Sequence, residues 1–153
     1  MTTRTSPFVA APHLVQQLMD YGATLLDNGL EKDLVRLVAI RTSQINGSAA
    51  GLQLYYSEAR KEGALDPRLD LVVAWRDTDL FTARERAALG WAEALTRVAE
   101  ARVTDEAYDL VKAQFTEEEH VRLTLVIGVF NAFNRLAAGH GVKATSDARP
   151  QSA

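Results

Sequence analysis

The chain contains no cysteine in its 153 residues. That absence excludes disulfides, zinc–thiolate sites, iron–sulfur clusters and thiol catalysis. An excess of positive charge is also missing. With a formal net charge of −3, the chain lacks the basic footprint that a sequence-independent nucleic-acid binder needs. Long apolar runs are absent too. The most apolar stretch, Val121 to Ala138, is interrupted by Arg122, Asn131, Asn134 and Arg135, so a membrane span is not expected. The opening MTTRTSPFVAAPHLV lacks the apolar run of a signal peptide, which makes a soluble cytoplasmic protein the expectation. No strand alternation, internal repeat or linker interrupts the pattern. His13, His120 and His140 sit in different helices or at helix ends without ligand spacing, so neither a metal nor another cofactor is expected.

What remains is helical periodicity. His13 to Leu26 carries apolar residues at Leu14, Leu18, Tyr21 and Leu25, and Asn28-Gly29 stops it. Leu30 to Ile45 repeats the pattern through Leu34, Leu37 and Val38 and ends at Asn46-Gly47. Ser48 is placed to cap a helix over Ala49–Glu62, closed by Gly63. Asp66-Pro67 opens a helix running through Trp75. Thr82-Ala-Arg-Glu85 is a capping box for a helix reaching about Ala101, Thr104 starts a short helix, and Thr116-Glu-Glu-Glu119 is a second capping box. The helix after it is apolar on nearly every side, so it is either central or covered by another subunit. These signals predict one all-α bundle of about seven helices. It occupies residues 12–142, between a flexible segment at 1–11 and a loose tail at 143–153.

The stretch SQINGSAAGLQLYYSEARKEG resembles the core motif of the alkylhydroperoxidase D-like proteins, within the carboxymuconolactone decarboxylase superfamily. Ser43-Gln44-Ile45-Asn46-Gly47 and Glu58-Ala59-Arg60 match that motif without a gap. Ala74 to Phe81, Arg84 to Leu89, Trp91 to Thr96 and Asn131 to Ala137 are similar to its later blocks. The resemblance implies the same all-α fold and assembly as a homo-oligomer, a trimer or hexamer. It also implies a relay of glutamate, Cys-x-x-Cys and histidine. In this chain those positions fall on Arg36, Ser48, Gly51 and Tyr55. All four are replaced, and a serine hydroxyl cannot climb the thiol oxidation ladder. Peroxide reduction by that relay is excluded.

At about 100° per residue, Ser48, Gly51 and Tyr55 share one helix face, together with Leu52. The first-turn N–H groups at Ala49–Gly51 suit an anion, and Arg36 would supply a bidentate partner if it projects where the family glutamate does. The expected site therefore has Tyr55, Ser48 and Arg36 in catalytic roles and Gly51 and Leu52 around the substrate, and the resemblance implies Trp75 beside them, although its own apolar stripe reads as core. Activating Tyr55 would require its pKa to be lowered, with Arg36 as the candidate cause. The reading is a cofactor-free acid–base enzyme, a decarboxylase, lyase or isomerase, acting on a small carboxylate-bearing molecule. Two alternatives stay open: a non-catalytic small-ligand binder, and an inactive or altered peroxidase in which Ser48 is a plain N-cap, Tyr55 a core aromatic and Arg36 solvent-facing.

Overall fold

This computed structural model describes residues 2–27, 29–62 and 67–145, and no strand occurs among them. In chain order the helices are α1 (Pro7–Ala10), α2 (Pro12–Leu26), α3 (Lys32–Ile45), α4 (Ala49–Lys61), α5 (Arg68–Leu71), a 3₁₀ stretch (Val72–Asp77), α6 (Ala83–Thr96), α7 (Asp105–Lys112) and α8 (Glu117–His140). Asn28, Gly63 and Asp66, read as helix-ending and capping residues, lie outside the described residues.

The longest helix is the axis of the bundle. Thr116 Oγ1 accepts the Glu119 N–H at 3.2 Å, and the Glu119 carboxylate accepts the Thr116 N–H at 2.9 Å, so α8 starts at its capping box. It ends at Gly141, whose φ of 67° lets Val142 N–H reach back to Ala137 O at 2.9 Å. By length and hydropathy alone α8 could cross a membrane, but here it packs against α2, α3, α4, α6 and α7. Leu123, Val126, Ile127 and Phe130 carry its buried face, each stabilising the fold by roughly 1.5–3 kcal/mol. A larger apolar cluster joins α3, α6, α7 and α8, and a smaller one joins Leu37, Ile40, Ala59, Leu69, Val72, Trp75, Phe81 and Leu89. Tyr55 packs against both.

The joint between α3 and α4 positions the site. Gly47 adopts a φ of 61°, the Gly47 N–H bonds to Gln44 O at 3.2 Å, and the Ser48 N–H bonds to Ser43 O at 2.9 Å. This pair is the Schellman pattern that asparagine–glycine suggested. Ser48 Oγ then accepts the Gly51 N–H at 3.2 Å. One residue thus ends α3 and begins α4.

The structure departs from the periodicity at four places. α2 is rotated: Leu14 and Tyr21 face outward, while Val15, Gly22 and Leu25 face inward. Gly22 explains the rotation, because a Cβ there would stand 3.1 Å from the Phe133 ring and glycine lets α2 press onto α8. The helix expected through Trp75 becomes a single α-turn and a 3₁₀ stretch. The stretch is kinked at Ala74 (φ −118°, ψ 29°), and Arg86 takes the Trp75 and Thr78 carbonyls at 2.9 Å each, which keeps it from continuing as a helix beyond Asp77. α6 stops at Thr96 instead of about Ala101, and Val98 beyond it meets solvent and not core. The segment before residue 12 forms α1 and is held on α8, with Arg4 donating to Ala138 O and Gly139 O at 3.0 and 3.1 Å. His140 Nδ1 lies 2.7 Å from Thr5 O, so that ring nitrogen carries the proton. At the other end Thr145 N–H donates to Gln53 Oε1 at 2.9 Å. The tail beyond residue 145 lies outside the described residues.

Glu93 ties the smaller cluster together. Trp75 Nε1 and Arg41 Nε each donate to Glu93 Oε1 at 2.8 Å, and Arg76 pairs with the other oxygen. Burial alone would raise the Glu93 pKa. The bonds from Trp75, Arg76 and Arg41 outweigh it and hold the carboxyl below its ordinary value of 4.5. A carboxylate depressed in the fold stabilises it above the unfolded pKa, and that contribution is lost as the pH falls. Glu93→Gln is therefore expected to be less stable than the parent near neutral pH, with the gap narrowing in acid. Urea midpoints at roughly pH 7, 5 and 3 check this, and a gap that does not change with pH would assign the loss to packing.

Candidate functional site

The former relay positions do not all meet. Ser48, Gly51 and Tyr55, aligned on α4, line one cavity of about 340 Å³ between α2, α4 and α8. Its wall is mostly apolar, with Met19, Leu26, Leu54, Phe130 and Phe133 prominent, and Phe8 of α1 and Val142 also line it. The polar residues on it are Ser48, Tyr55, Glu58 and Asn134, and no cation is among the described residues that line it.

Gly51 is explained by contact. A Cβ at Gly51 would lie 2.6 Å from Ser43 Oγ and 2.8 Å from Asn134 Oδ1. Ser43 is fully buried and Asn134 is 4% exposed, and their side chains are joined at 3.3 Å by a hydrogen bond from Ser43 Oγ to Asn134 Oδ1. The first turn of α4 has settled onto α3 and α8 in a way that only glycine permits. Ser48 keeps its capping role, which takes up one of the three first-turn N–H groups suited to an anion.

Tyr55 stands edge-on to Phe130, ring centroids 5.3 Å apart. Its pKa is pushed up, first by burial and then by the Glu58 carboxylate. The shift is opposite to the one an activated phenol would need. Tyr55 therefore stays protonated at neutral pH, as a hydrogen-bond donor and not a phenolate.

Arg36 lines an adjoining cavity of about 430 Å³ with Lys32, Asp27, Glu58 and Glu62, and Tyr55, Glu58, Leu26 and Phe130 border both cavities. Its side chain is only 12% exposed; it pairs with Glu62, the residue that follows α4, and, at 2.9 Å, with Asp33. Leu52 packs into the smaller apolar cluster and does not line the Ser48 cavity. Trp75 is buried in that same cluster, between Arg76 at 4.1 Å and Arg86 at 5.2 Å from its ring centroid, with its N–H on Glu93. The structure thus brings together Tyr55, Ser48 and Gly51, places Arg36 next door, and seats Leu52 and Trp75 elsewhere.

Two residues of the cavity were not read from the sequence. Glu58 was seen only as part of a matching motif. One helical turn after Tyr55 (i, i+3), it falls beside the phenol. Asn134 comes from α8; it was seen only as a polar residue inside an apolar run and as part of the matching block Asn131 to Ala137.

The contact at Gly51 makes a measurable claim. An alanine in a helix ordinarily improves on glycine by up to about 1 kcal/mol. At position 51 the added methyl must displace Ser43 or Asn134, and overpacking a filled core costs about 1–3 kcal/mol. Gly51→Ala is expected to lower the urea midpoint. A raised midpoint would mean that the first turn of α4 has room to spare.

Comparison with known proteins agrees with this fold. The sequence matches the carboxymuconolactone decarboxylase family over residues 12–94. It is 33% identical over 146 residues to the uncharacterised protein YdfG of Bacillus subtilis (strain 168), an alignment covering 95% of this chain and 99% of that protein. A protein of unknown function from Agrobacterium tumefaciens, proposed to be the antioxidant-defence protein AhpD, superposes with a TM-score of 0.88 at 33% identity, covering 94% of this chain and 99% of that one. The debrominase Bmp8, solved with 2,3,4-tribromopyrrole, shares the fold at a TM-score of 0.77 and 18% identity, over 93% of this chain and 76% of that one. The chain belongs to the carboxymuconolactone decarboxylase family, and has neither cysteine of the Cys-x-x-Cys pair on which the peroxidase relay depends.

Proposed function

We propose that the chain is a cofactor-free acid–base enzyme of isomerase or lyase type, working on a small organic molecule held in the Ser48 cavity. The observation that carries this reading is the pairing of a protonated phenol, Tyr55, with the Glu58 carboxylate on the wall of an otherwise apolar cavity. A carboxylate can take a proton from carbon, and a phenol held neutral can hydrogen-bond the oxygen on which charge develops. An apolar surround strengthens both effects. Arg36, already engaged by two carboxylates, supports the α3–α4 side of the site and is not assigned a proton-transfer role. The anionic substrate class expected from the sequence has its support in Lys32 and Arg36 across the Tyr55 ring, outside the cavity that holds Ser48.

Repurposing accounts better than decay for the core of the site. A site that had merely lost its thiols would keep room for them. Here Ser43 and Asn134 occupy the space that a side chain at Gly51 would need.

The test is proton exchange. A panel of cyclic ketones, β-keto acids and lactones is incubated with the protein in D₂O and followed by NMR for deuterium uptake next to the carbonyl and for loss of CO₂. Turnover of at least one compound is expected, falling about 10²-fold or more in Glu58→Gln and less steeply in Tyr55→Phe. Equal rates in the parent and in Glu58→Gln would sink the assignment. Binding with no exchange at all would favour a ligand-carrying protein.

We also propose a homo-oligomer, a trimer or hexamer. Leu14, Val121 and Leu125 are exposed apolar residues on α2 and α8 that a subunit contact would cover. Light scattering coupled to size exclusion is expected to give a multiple of the chain mass, and a monomer at micromolar concentration would overturn this.

A further inference from the structure

Hydrogen bonding inside the cavity is unbalanced. Asn134 is 4% exposed and borders the cavity, its Oδ1 accepts from Ser43 Oγ, and its Nδ2 has no partner. Leaving a buried amide N–H unpaired is unfavourable; as it stands Nδ2 is shielded from the cavity, so a bound acceptor relieves it only once the Asn134 side chain turns toward the ligand. The Tyr55 hydroxyl is a second donor on the same wall, kept protonated by its surroundings. Ser48 has committed its Oγ as an acceptor to Gly51 N–H, which leaves its own proton as a third donor. Against these stands one group that can only accept when ionised, the Glu58 carboxylate.

Charge narrows the ligand further. No lysine, arginine or histidine is among the described residues lining this cavity, and Glu58 is on it. An anion entering would lose its hydration without a cation to replace it and would face a like charge. A cation would meet Glu58 but leave the three donors unmatched. A hydrocarbon would fill the apolar wall and leave Asn134 unpaired. The occupant that satisfies all of the lining is uncharged, mostly apolar, and carries one acceptor oxygen. A volume of about 340 Å³ suits a single substituted ring.

We propose that the ligand is an uncharged ring-sized carbonyl compound, such as a ketone, aldehyde or lactone, whose oxygen is held by the Asn134 amide and the Tyr55 hydroxyl. This rests on the Ser48 cavity being the working site. It deepens that reading by replacing the carboxylate-bearing class with a neutral one. It also places the carbon next to the carbonyl in the cavity that Glu58 borders: in a β,γ-unsaturated member of this class Glu58 takes the proton from the α carbon, leaving a dienolate hydrogen-bonded by Tyr55, and returns it to the γ carbon, which moves the double bond into conjugation. No oxidant or other reactant is consumed.

Three probes of nearly equal shape separate the alternatives: acetophenone, α-methylstyrene, in which a methylene replaces the carbonyl oxygen, and benzoate, in which an anionic oxygen replaces the methyl group. Affinities are read by protein NMR titration near neutral pH. Acetophenone is expected to bind at least tenfold more tightly than either of the others. In Asn134→Leu and in Tyr55→Phe its advantage over α-methylstyrene is expected to shrink several-fold, while α-methylstyrene binding itself persists and shows that the cavity is intact. Equal affinities for acetophenone and α-methylstyrene in the parent, or an advantage unchanged in both variants, would overturn the carbonyl contact and leave the apolar site standing. Benzoate ahead of both would overturn the neutral class. Failure of all three to perturb residues of the cavity would remove the site itself, and with it the function proposed above.

Discussion

The approach of the first turn of α4 to α3 and α8 is the contact on which the site depends. Without a Cβ at Gly51, the α4 backbone comes within reach of Ser43 Oγ and Asn134 Oδ1. That closeness sets the lean of α4, which in turn sets where Tyr55 and Glu58 point. It also brings Asn134 to the wall of the cavity, with its amide nitrogen shielded just beneath the surface. Gly22 does the same on the opposite side, where α2 presses against Phe133 and Val129. Two glycines, each at a helix crossing, thus define the width of the cavity.

Polar bonding elsewhere keeps this arrangement in register. Arg84 joins Glu31 before α3 to Glu119 at the start of α8, bonding to each at 2.8 Å. Glu93 gathers Arg41, Trp75 and Arg76. Each network ties segments that no apolar stripe alone would fix relative to one another. Being partly buried, these networks are screened less by solvent than a surface pair.

Much of the fold was legible because its punctuation is local. Asn46-Gly47 followed by Ser48 specifies a helix end and a helix start within three residues, and both capping boxes appear as read. What local signals could not supply was rotation. The expected stripe of Leu14, Leu18, Tyr21 and Leu25 and the observed one of Val15, Gly22 and Leu25 share Leu25, and only the close contact of Gly22 with α8 chooses between them. The end of the helical stretch after Asp77 was hidden for a similar reason: the residue that takes the Trp75 and Thr78 carbonyls, Arg86, belongs to another helix. The site divides along the same line. Ser48, Gly51 and Tyr55 meet because one helix carries them. Arg36 was placed by analogy with a glutamate, and a longer cation beside Asp33 and Glu62 finds its own partners first. Asn134 arrives from a distant helix, which periodicity cannot anticipate.

The joint at Ser48 has a consequence for how the molecule is assembled. Because only Asn46, Gly47 and Ser48 separate α3 from α4, bringing the two helices together closes a very short loop, with little loss of chain entropy. Helix pairs joined this way are local contacts of the kind that form fast, ahead of pairings between distant segments. The strand of sequence bearing Ser48, Tyr55 and Glu58 can therefore be shaped early, on a hairpin of its own. The wall supplied by α8 must wait for most of the chain, and Arg4, the last latch to reach α8 by sequence distance, joins two ends that lie 134 residues apart. The cavity is thus a late product of folding built on an early part.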